Sequence, residues 1–106
     1  MKAWKLLSKR GKWCQHASAM DKDMLDVSPK NGRAVQFCML GAITRCYKND
    51  GEAIEKKLAV AKAIEAKTKR KGLTDGFGFR KVIATWNDDT HRKKSEVVAL
   101  LKSLNV

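Results

Sequence analysis

The fold is decided by residues 34–47, which read Ala-Val-Gln-Phe-Cys-Met-Leu-Gly-Ala-Ile-Thr-Arg-Cys-Tyr. Only two of these side chains, Gln36 and Arg45, are strongly polar, and the apolar ones point in almost every direction around a helix, which is typical of a helix enclosed by others. Gly41 and Ala42 lie at its midpoint, where a glycine costs a helix about 1 kcal/mol relative to alanine. We therefore predict a buried central helix over 34–47, with a second backbone packed closely against its midpoint.

Apolar residues at helical spacing recur on both sides of this stretch. The predicted helices cover residues 3–10, 34–47, 52–71, 79–86 and a last segment with Val97, Leu100, Leu101 and Leu104 on one face, capped by Asp89 or Thr90. Residues 13–20 have enough helical character for a turn or two, whereas residues 21–30 and the glycine-rich residues 72–78 are typical of loops. No alternating strand of useful length is visible. We predict an all-α fold, a compact bundle of four or five helices around the central helix.

Length and charge limit the possible classes of protein. A chain of 106 residues has room for one core, so we predict a single basic domain over residues 1–106. The chain has 23 Lys plus Arg against 11 Asp plus Glu, a formal net charge of +12. This excess of one sign raises the local concentration of anionic partners, such as nucleic acid or acidic protein surfaces.

The cysteines and the amino terminus indicate a location. Cys14, Cys38 and Cys46 cannot all pair within one chain, and no two of them have Cys-x-x-Cys spacing. They are predicted to be reduced thiols, as in a cytoplasmic protein. The basic amino terminus lacks the apolar stretch of a signal peptide, and no apolar run approaches the roughly 20 residues of a membrane span. We expect a cytoplasmic protein with no membrane partner.

Three short stretches resemble a known family. They are Trp13-Cys14-Gln15, then Phe-Cys-Met-Leu-Gly-Ala-Ile over 37–43, then Trp86-Asn87-Asp88 with Thr90 and the closing Glu-Val-Val-Ala-Leu-Leu over 96–101. In order and content the chain resembles, from about Leu6 to Leu104, a family of small proteins of unknown function found in actinobacteria and phages. The resemblance implies the helical fold and transfers no activity. The other family members are not especially basic, so the charge is a departure from the family.

A polar corner is predicted after the 79–86 helix and before the last one, and its residues are Gln15, Trp86, Asn87, Asp88 and Thr90. One interpretation is a small hydrogen-bonding pocket that binds a ligand. The other is that Trp86 anchors the core, while Asn87 and Asp88 bond the backbone of their own loop and the free amides of the next helix. We favour the structural interpretation, because Asn and Asp are common turn and cap residues.

Cysteine and histidine offer a possible catalytic pair, with Cys14 or Cys38 as nucleophile and His16 or His91 as base. A nucleophilic thiol needs a lowered pKa in an electropositive and partly open site, and nothing in the sequence places these residues together. Cys14 and His16 would bind zinc only if distant ligands completed the set. We therefore predict no enzyme activity, no metal site and no cofactor.

The basic residues form three clusters. The first runs from Lys2 to Lys12, the second from Lys56 to Lys71, and the third contains Arg80 and Lys81 together with residues 92–94. If the clusters share one face, they would bind phosphates without reading base sequence. The candidate nucleic-acid-binding residues are Lys9, Arg10, Lys12, Lys67, Lys69, Arg70, Lys71, Arg80, Lys81, Arg92, Lys93 and Lys94. Exposed aromatic residues, namely Trp4, Trp13 or Phe77, would add stacking on bases.

Two hypotheses on function follow from the charge. The first is a small phage-encoded module that binds DNA or RNA through phosphates with little sequence specificity. The second is a protein-binding module that docks on an acidic surface of a host protein and inhibits or modulates it. A salt series separates them, because phosphate binding weakens steeply with salt, whereas a protein interface with an apolar centre survives moderate salt. The sequence leaves the oligomeric state open.

Overall fold

The computed structural model describes residues 1–68 and 78–106. Over these residues the fold is mostly helical, with a small antiparallel sheet. Its elements are α1 (Ala3–Ser8), β1 (Ala19–Met20), β2 (Gln36–Phe37), α2 (Met39–Cys46), α3 (Asp50–Thr68), α4 (Gly78–Asn87) and α5 (Lys94–Ser103). The helical segments predicted near residues 3–10, 52–71 and 79–86 and at the end of the chain are therefore present. The last residues of the predicted 52–71 helix and most of the predicted glycine loop lie outside the described residues.

The prediction of one helix over residues 34–47 is wrong for its first five residues. Residues Gln36–Phe37 form strand β2, which pairs antiparallel with β1 so that Ala19 lies opposite Phe37. The helix begins only at Met39, after Cys38, whose backbone is extended and whose Sγ accepts a hydrogen bond from the Gly41 N–H at 3.3 Å. Because of this sheet, the fold is not purely all-α.

Residues 13–20 are also extended or bent, so the prediction of a helical turn there is wrong. The Phe37 N–H donates to the Lys12 carbonyl at 2.7 Å, and the Phe37 carbonyl accepts from the Cys14 N–H at 3.0 Å. The Ser18 carbonyl accepts from the Cys38 N–H at 3.1 Å. Pairing with the strand satisfies backbone groups that a helical turn would otherwise satisfy.

The close approach predicted at the midpoint of the central helix is confirmed. Gly41 is buried on α2, and a Cβ atom placed on it would overlap the backbone carbonyl oxygen of Ser18. The backbone that approaches is therefore the extended segment before β1. Glycine is required at this position because any side chain would push that segment away.

Helix α2 lies at the centre of the packing and contacts α1, α3 and α4. The largest fully buried side chains include Leu7 from α1, Met39 and Ile43 from α2, Ile83 from α4 and Leu101 from α5. Helix α3 adds Val60, and it packs mainly on α4. Every described helix thus turns one apolar face to a common core, as amphipathic helices do.

Helices α1 and α5 run antiparallel to each other. At one end, the Ala3 N–H donates to the Val106 carbonyl at 2.7 Å; at the other, Lys94 Nζ donates to the Lys9 carbonyl at 2.6 Å. The predicted cap of the last helix is wrong: α5 begins after Lys93, whose N–H donates to the Glu96 carboxylate at 2.8 Å.

Across residues 1–68 and 78–106, no helix has the length and apolar character needed to cross a membrane.

Candidate functional site

Asn87 occupies the centre of a hydrogen-bonded cluster that joins distant parts of the chain. It is the last residue of α4 and is fully buried. Its Oδ1 accepts from Trp13 Nε1 at 2.8 Å and from the Met39 N–H at 3.2 Å. Its Nδ2 donates to the Cys14 carbonyl at 3.2 Å and to Asp88 Oδ1 at 2.9 Å. These four bonds use the full hydrogen-bonding capacity of a primary amide.

Gln15 and Asp88 extend this cluster to its edge. Gln15 Nε2 donates to the carbonyls of Asn87 and Asp89, both at 2.9 Å. Asp88 Oδ1 accepts from the N–H of His16, a residue held at a φ of 68°. A non-glycine residue with positive φ carries backbone strain, and the bond to Asp88 helps to hold it there. We call these residues the Asn87 cluster: Trp13, Cys14, Gln15, Met39, Asn87 and Asp88.

Trp86 and Thr90, the other two residues of the predicted polar corner, lie outside the Asn87 cluster. The Trp86 ring lies under the Arg92 guanidinium, 3.7 Å from ring centroid to guanidinium carbon, and the Trp86 carbonyl accepts from Arg92 Nε at 2.9 Å. Thr90 is exposed and outside the cluster. The structure thus brings together Gln15, Asn87 and Asp88, places the Trp86 ring against Arg92, and leaves Thr90 apart.

The partners of Asn87 differ from those expected in the structural interpretation of the sequence. Its amide does not bond the first turn of the next helix; it bonds Trp13, Cys14 and Met39, which lie 74, 73 and 48 residues away. The three stretches that carry the family resemblance therefore meet at one side chain. A single sequence gives no signal of pairings at such separations.

The thiols near this cluster are in their protonated form at neutral pH. Burial raises the pKa of Cys14 to about 12, and burial also raises the pKa of Cys38. His16 and His91 have exposed side chains. A thiol of this kind is a poor nucleophile, because the thiolate is the reactive form. Among the described residues, no group of three or more His, Cys, Asp and Glu side chains is placed to hold a metal ion.

The first and third basic clusters meet where α1 packs on α5. Lys94 Nζ reaches the Lys9 carbonyl at 2.6 Å, and Lys2 Nζ reaches the Asn105 carbonyl at 3.2 Å. Between these ends lies the half-buried Trp4 ring, with Lys5 Nζ 5.6 Å and Lys102 Nζ 5.0 Å from its centroid. We call this surface the α1–α5 seam and define it by Lys2, Trp4, Lys5, Lys9, Lys94 and Lys102.

Carboxylates are scarce around the seam. Residues 1–20 contain no Asp or Glu, and Glu96 is the sole acidic residue of α5. Glu96 is engaged away from the seam lysines, since it accepts from the Lys93 N–H at 2.8 Å and from Arg92 Nη1 at 3.3 Å. Among the described lysines and arginines, only Lys30 and Arg92 lie within 4.0 Å of a carboxylate.

The remaining candidate nucleic-acid-binding residues are dispersed. Arg10 and Lys12 follow α1, Lys93 precedes α5, and Lys67 lies in the last turn of α3. Arg80 and Lys81 are exposed on α4, which packs on α3. The Arg92 side chain is held between Trp86 and Glu96 and is only 16% exposed. Three more, Lys69, Arg70 and Lys71, lie outside the described residues.

Sequence reasoning placed Lys2 and Lys5 in the first basic cluster without choosing them as binding residues, and it named Trp4 as a stacking residue if exposed. It did not select Lys102. The sequence did contain a pattern that indicates part of the seam. Lys94 and Lys102 are eight residues apart and so lie on one face of α5. The pairing of α1 with α5, which brings Lys102 to Trp4, has no such local signal.

Comparison with known proteins places the chain in a family and gives no activity. Comparison with the curated proteins and with the solved structures yields no match. A family model matches residues 1–104, which is almost the whole chain. The chain therefore belongs to DUF6197, a family of unknown function.

Proposed function

We propose that the protein binds nucleic acid, DNA or RNA, at the α1–α5 seam, through phosphate contacts with little sequence specificity. The observation that carries this proposal is the convergence of Lys2, Lys5, Lys9, Lys94 and Lys102 on one surface beside Trp4, in a part of the chain with a single acidic residue that faces elsewhere. Lysines arranged in this way attract a polyanion and release its counterions on binding.

The length of the seam determines how steeply the affinity for nucleic acid should fall as salt concentration rises. Lys94 and Lys102 are separated by about 12 Å along α5, at 1.5 Å per residue. One strand of duplex DNA carries a phosphate about every 3.4 Å of axis, so the seam spans about three phosphates. Neutralising about three phosphates gives a slope of about −3 for the logarithm of the binding constant against the logarithm of salt concentration.

Trp4 adds an aromatic surface to the charged one. Its ring is half-buried, so part of the indole stays in contact with solvent between Lys5 and Lys102. Aromatic side chains in basic grooves stack on unpaired bases without regard to base identity. The seam is accordingly suited to backbone contacts plus sequence-tolerant stacking.

The test is a salt series on a short labelled duplex and a labelled single strand, followed by fluorescence anisotropy. The triple variant Lys5→Gln/Lys9→Gln/Lys102→Gln removes three exposed seam charges. The matched control Lys22→Gln/Lys48→Gln/Lys62→Gln lowers the net charge equally at exposed positions elsewhere. We expect the seam variant to lose about tenfold or more in affinity at low salt, and the control to stay within about threefold of the unmodified protein.

Two outcomes would overturn the proposal. One is failure of the protein to retain either nucleic acid at low salt. The other is an equal loss in both triple variants, because affinity would then depend on net charge alone and on no particular surface.

A second candidate function, a protein-binding module, is favoured by a different observation. The chain turns back between β1 and Val27, and the tip of this hairpin exposes Met24 at 68% and Leu25 at 63%. The tip is well ordered by Asp21, whose Oδ1 accepts from the N–H groups of Asp23 at 2.8 Å and Leu25 at 3.0 Å. An exposed apolar pair can supply the centre of a protein interface, and the excess of basic side chains favours a partner with an acidic surface, such as a host enzyme bound by a phage product.

Affinity capture from the native host lysate with added nuclease separates this candidate from the first. A protein partner that uses the hairpin tip should remain bound at moderate salt and should be lost with Met24→Ser/Leu25→Ser. If nuclease removes everything that the unmodified protein retains, the second candidate is eliminated.

A further inference from the structure

A cavity of about 350 Å³ lies between the second half of α3, helix α4 and the turn before α5. Its volume is within the range of small-molecule sites in proteins. Side chains of Ile64, Val82 and Trp86 supply apolar surface, and Lys81 and Arg92 supply positive charge at its wall. An apolar lining with a few directed polar groups is the composition that small-ligand sites share.

Arg92 is held in place before any ligand arrives. Its Nε donates to the Trp86 carbonyl at 2.9 Å, its guanidinium stacks on the Trp86 ring, and one Nη1 hydrogen points to Glu96 at 3.3 Å. A guanidinium has five N–H donors. The other three have no protein partner within the part of the chain that the structure describes. A guanidinium fixed in this way loses little conformational entropy when it binds a carboxylate.

Two carboxylates lie near the cavity and affect its preference for an anionic ligand. Asp89 lines it, and its Oδ1 accepts from the His91 N–H at 2.9 Å within its own turn. Glu96 is engaged by Arg92 and by the Lys93 N–H. The local sum of charges is thus close to neutral, and selection of an anion depends on the fixed donors of Arg92, to which the exposed Lys81 of the lining adds a second positive charge.

We infer that this cavity binds a small amphipathic carboxylate, with the carboxylate at Lys81 and Arg92 and the apolar body against Ile64, Val82 and Trp86. An apolar body of about ten carbon atoms, such as a phenyl ring on a short chain, suits a cavity of this volume. This site is independent of the nucleic-acid binding proposed for the seam.

The test uses 4-phenylbutyrate as probe, with its neutral amide and with acetate for comparison. Each is titrated into ¹⁵N-labelled protein, and the NMR signals of the Trp86 indole N–H and the Arg92 Nε–H are followed. We expect saturable shifts with 4-phenylbutyrate, with a dissociation constant of about a millimolar for a ligand of this size. The amide and acetate should bind at least about tenfold more weakly, because each lacks one half of the interaction.

Variants locate the binding. Lys81→Met should weaken 4-phenylbutyrate binding by about three- to tenfold, while Lys62→Met, an exposed change of the same kind on α3 outside the cavity lining, should not. Thr85→Phe, at an exposed position of the lining, should abolish binding by filling the cavity. Absence of saturable shifts, equal binding of acid and amide, or equal effects of Lys81→Met and Lys62→Met would each overturn the inference.

Discussion

The indole N–H of Trp13 donates a 2.8 Å hydrogen bond to the side-chain oxygen of Asn87, which lies 74 residues further along the chain. The same oxygen accepts the N–H of Met39, the first residue of α2. One amide therefore fixes the extended amino-terminal segment, the start of the central helix and the end of α4 relative to each other. Fully satisfied buried networks of this kind specify a single arrangement of the elements that they join.

We predict that Asn87→Ala lowers the free energy of unfolding by about 3 kcal/mol or more. The change leaves the Trp13 indole N–H, the Met39 N–H and the Cys14 carbonyl without their partner, at about 1–3 kcal/mol for each buried group. Urea denaturation measures the loss. Asn49→Ala is the control, because Asn49 is exposed and its side-chain oxygen accepts the Glu52 N–H at the start of α3, a cap of about 1 kcal/mol. Unchanged stability together with loss of a ligand would instead make the Asn87 cluster a binding site.

Gly41→Ala should destabilise the protein although alanine is the better helix former. The added methyl group would overlap the Ser18 carbonyl oxygen, so the 13–18 segment must move, at a cost of about 1–3 kcal/mol that exceeds the helix gain of about 1 kcal/mol. Gly32→Ala is the matched control, because nothing lies within 4 Å of the position of its Cβ. Thermal unfolding of both variants checks the prediction, which fails if Gly41→Ala melts at or above the temperature of Gly32→Ala.

Lys57→Met should stabilise the protein at neutral pH, by up to about 1 kcal/mol. Lys57 is buried on α3, and burial together with the nearby Arg80 lowers its pKa below the ordinary 10.5. A lowered pKa means that the charged form is disfavoured in the folded state. The destabilisation is complete below the folded-state pKa and disappears as pH rises through that pKa toward 10.5.

The advantage of Lys57→Met over the unmodified protein should therefore shrink in alkaline solution. Urea denaturation at neutral pH and at a pH near 10.5 measures it. Lys62→Met, at an exposed position of the same helix, should change stability by less than about 0.5 kcal/mol at both. If the stability advantage of Lys57→Met grew with pH, the pKa of Lys57 would not be lowered in the folded protein.

Alkylation should distinguish the three thiols. Burial raises the pKa of all three thiols, to about 12 for Cys14, but Cys14 and Cys38 are buried whereas Cys46 is only half-buried. With iodoacetamide at neutral pH we expect Cys46 to react first and the other two only slowly, because the reagent needs both access and thiolate. Mass spectrometry of native and urea-unfolded samples measures the order in which the thiols react. Rapid labelling of Cys14 in the native protein would show that its thiol is accessible and would contradict the prediction.

Local patterns were sufficient to locate most of the helices. Apolar spacing in α3, α4 and α5 gave their positions to within a few residues, and Gly41 indicated a close backbone approach. The break at residues 34–38 was missed because its strand has two residues and its partner strand two, which is too short for alternation to be visible. An apolar run of this kind fits a buried helix and a buried strand equally well.

The surfaces proposed for function could be predicted less well from the sequence. The basic clusters were visible as composition, but the contact between Lys9 and Lys94 spans 85 residues. The donors of Arg92 and the cavity beside Trp86 likewise depend on how α3, α4 and the turn before α5 pack. Such features depend on tertiary arrangement, which no local stretch of a single sequence encodes.

The antiparallel pairing of α1 with α5 also constrains how this protein is made. During synthesis the first helix leaves the ribosome well before the residues against which it packs, and six residues are too few for a helix to persist alone in water. The part of its apolar side that packs on α5 must therefore stay exposed until α5 has been synthesised. Folding is therefore expected to be concerted, with α1 and α5 acquiring structure together.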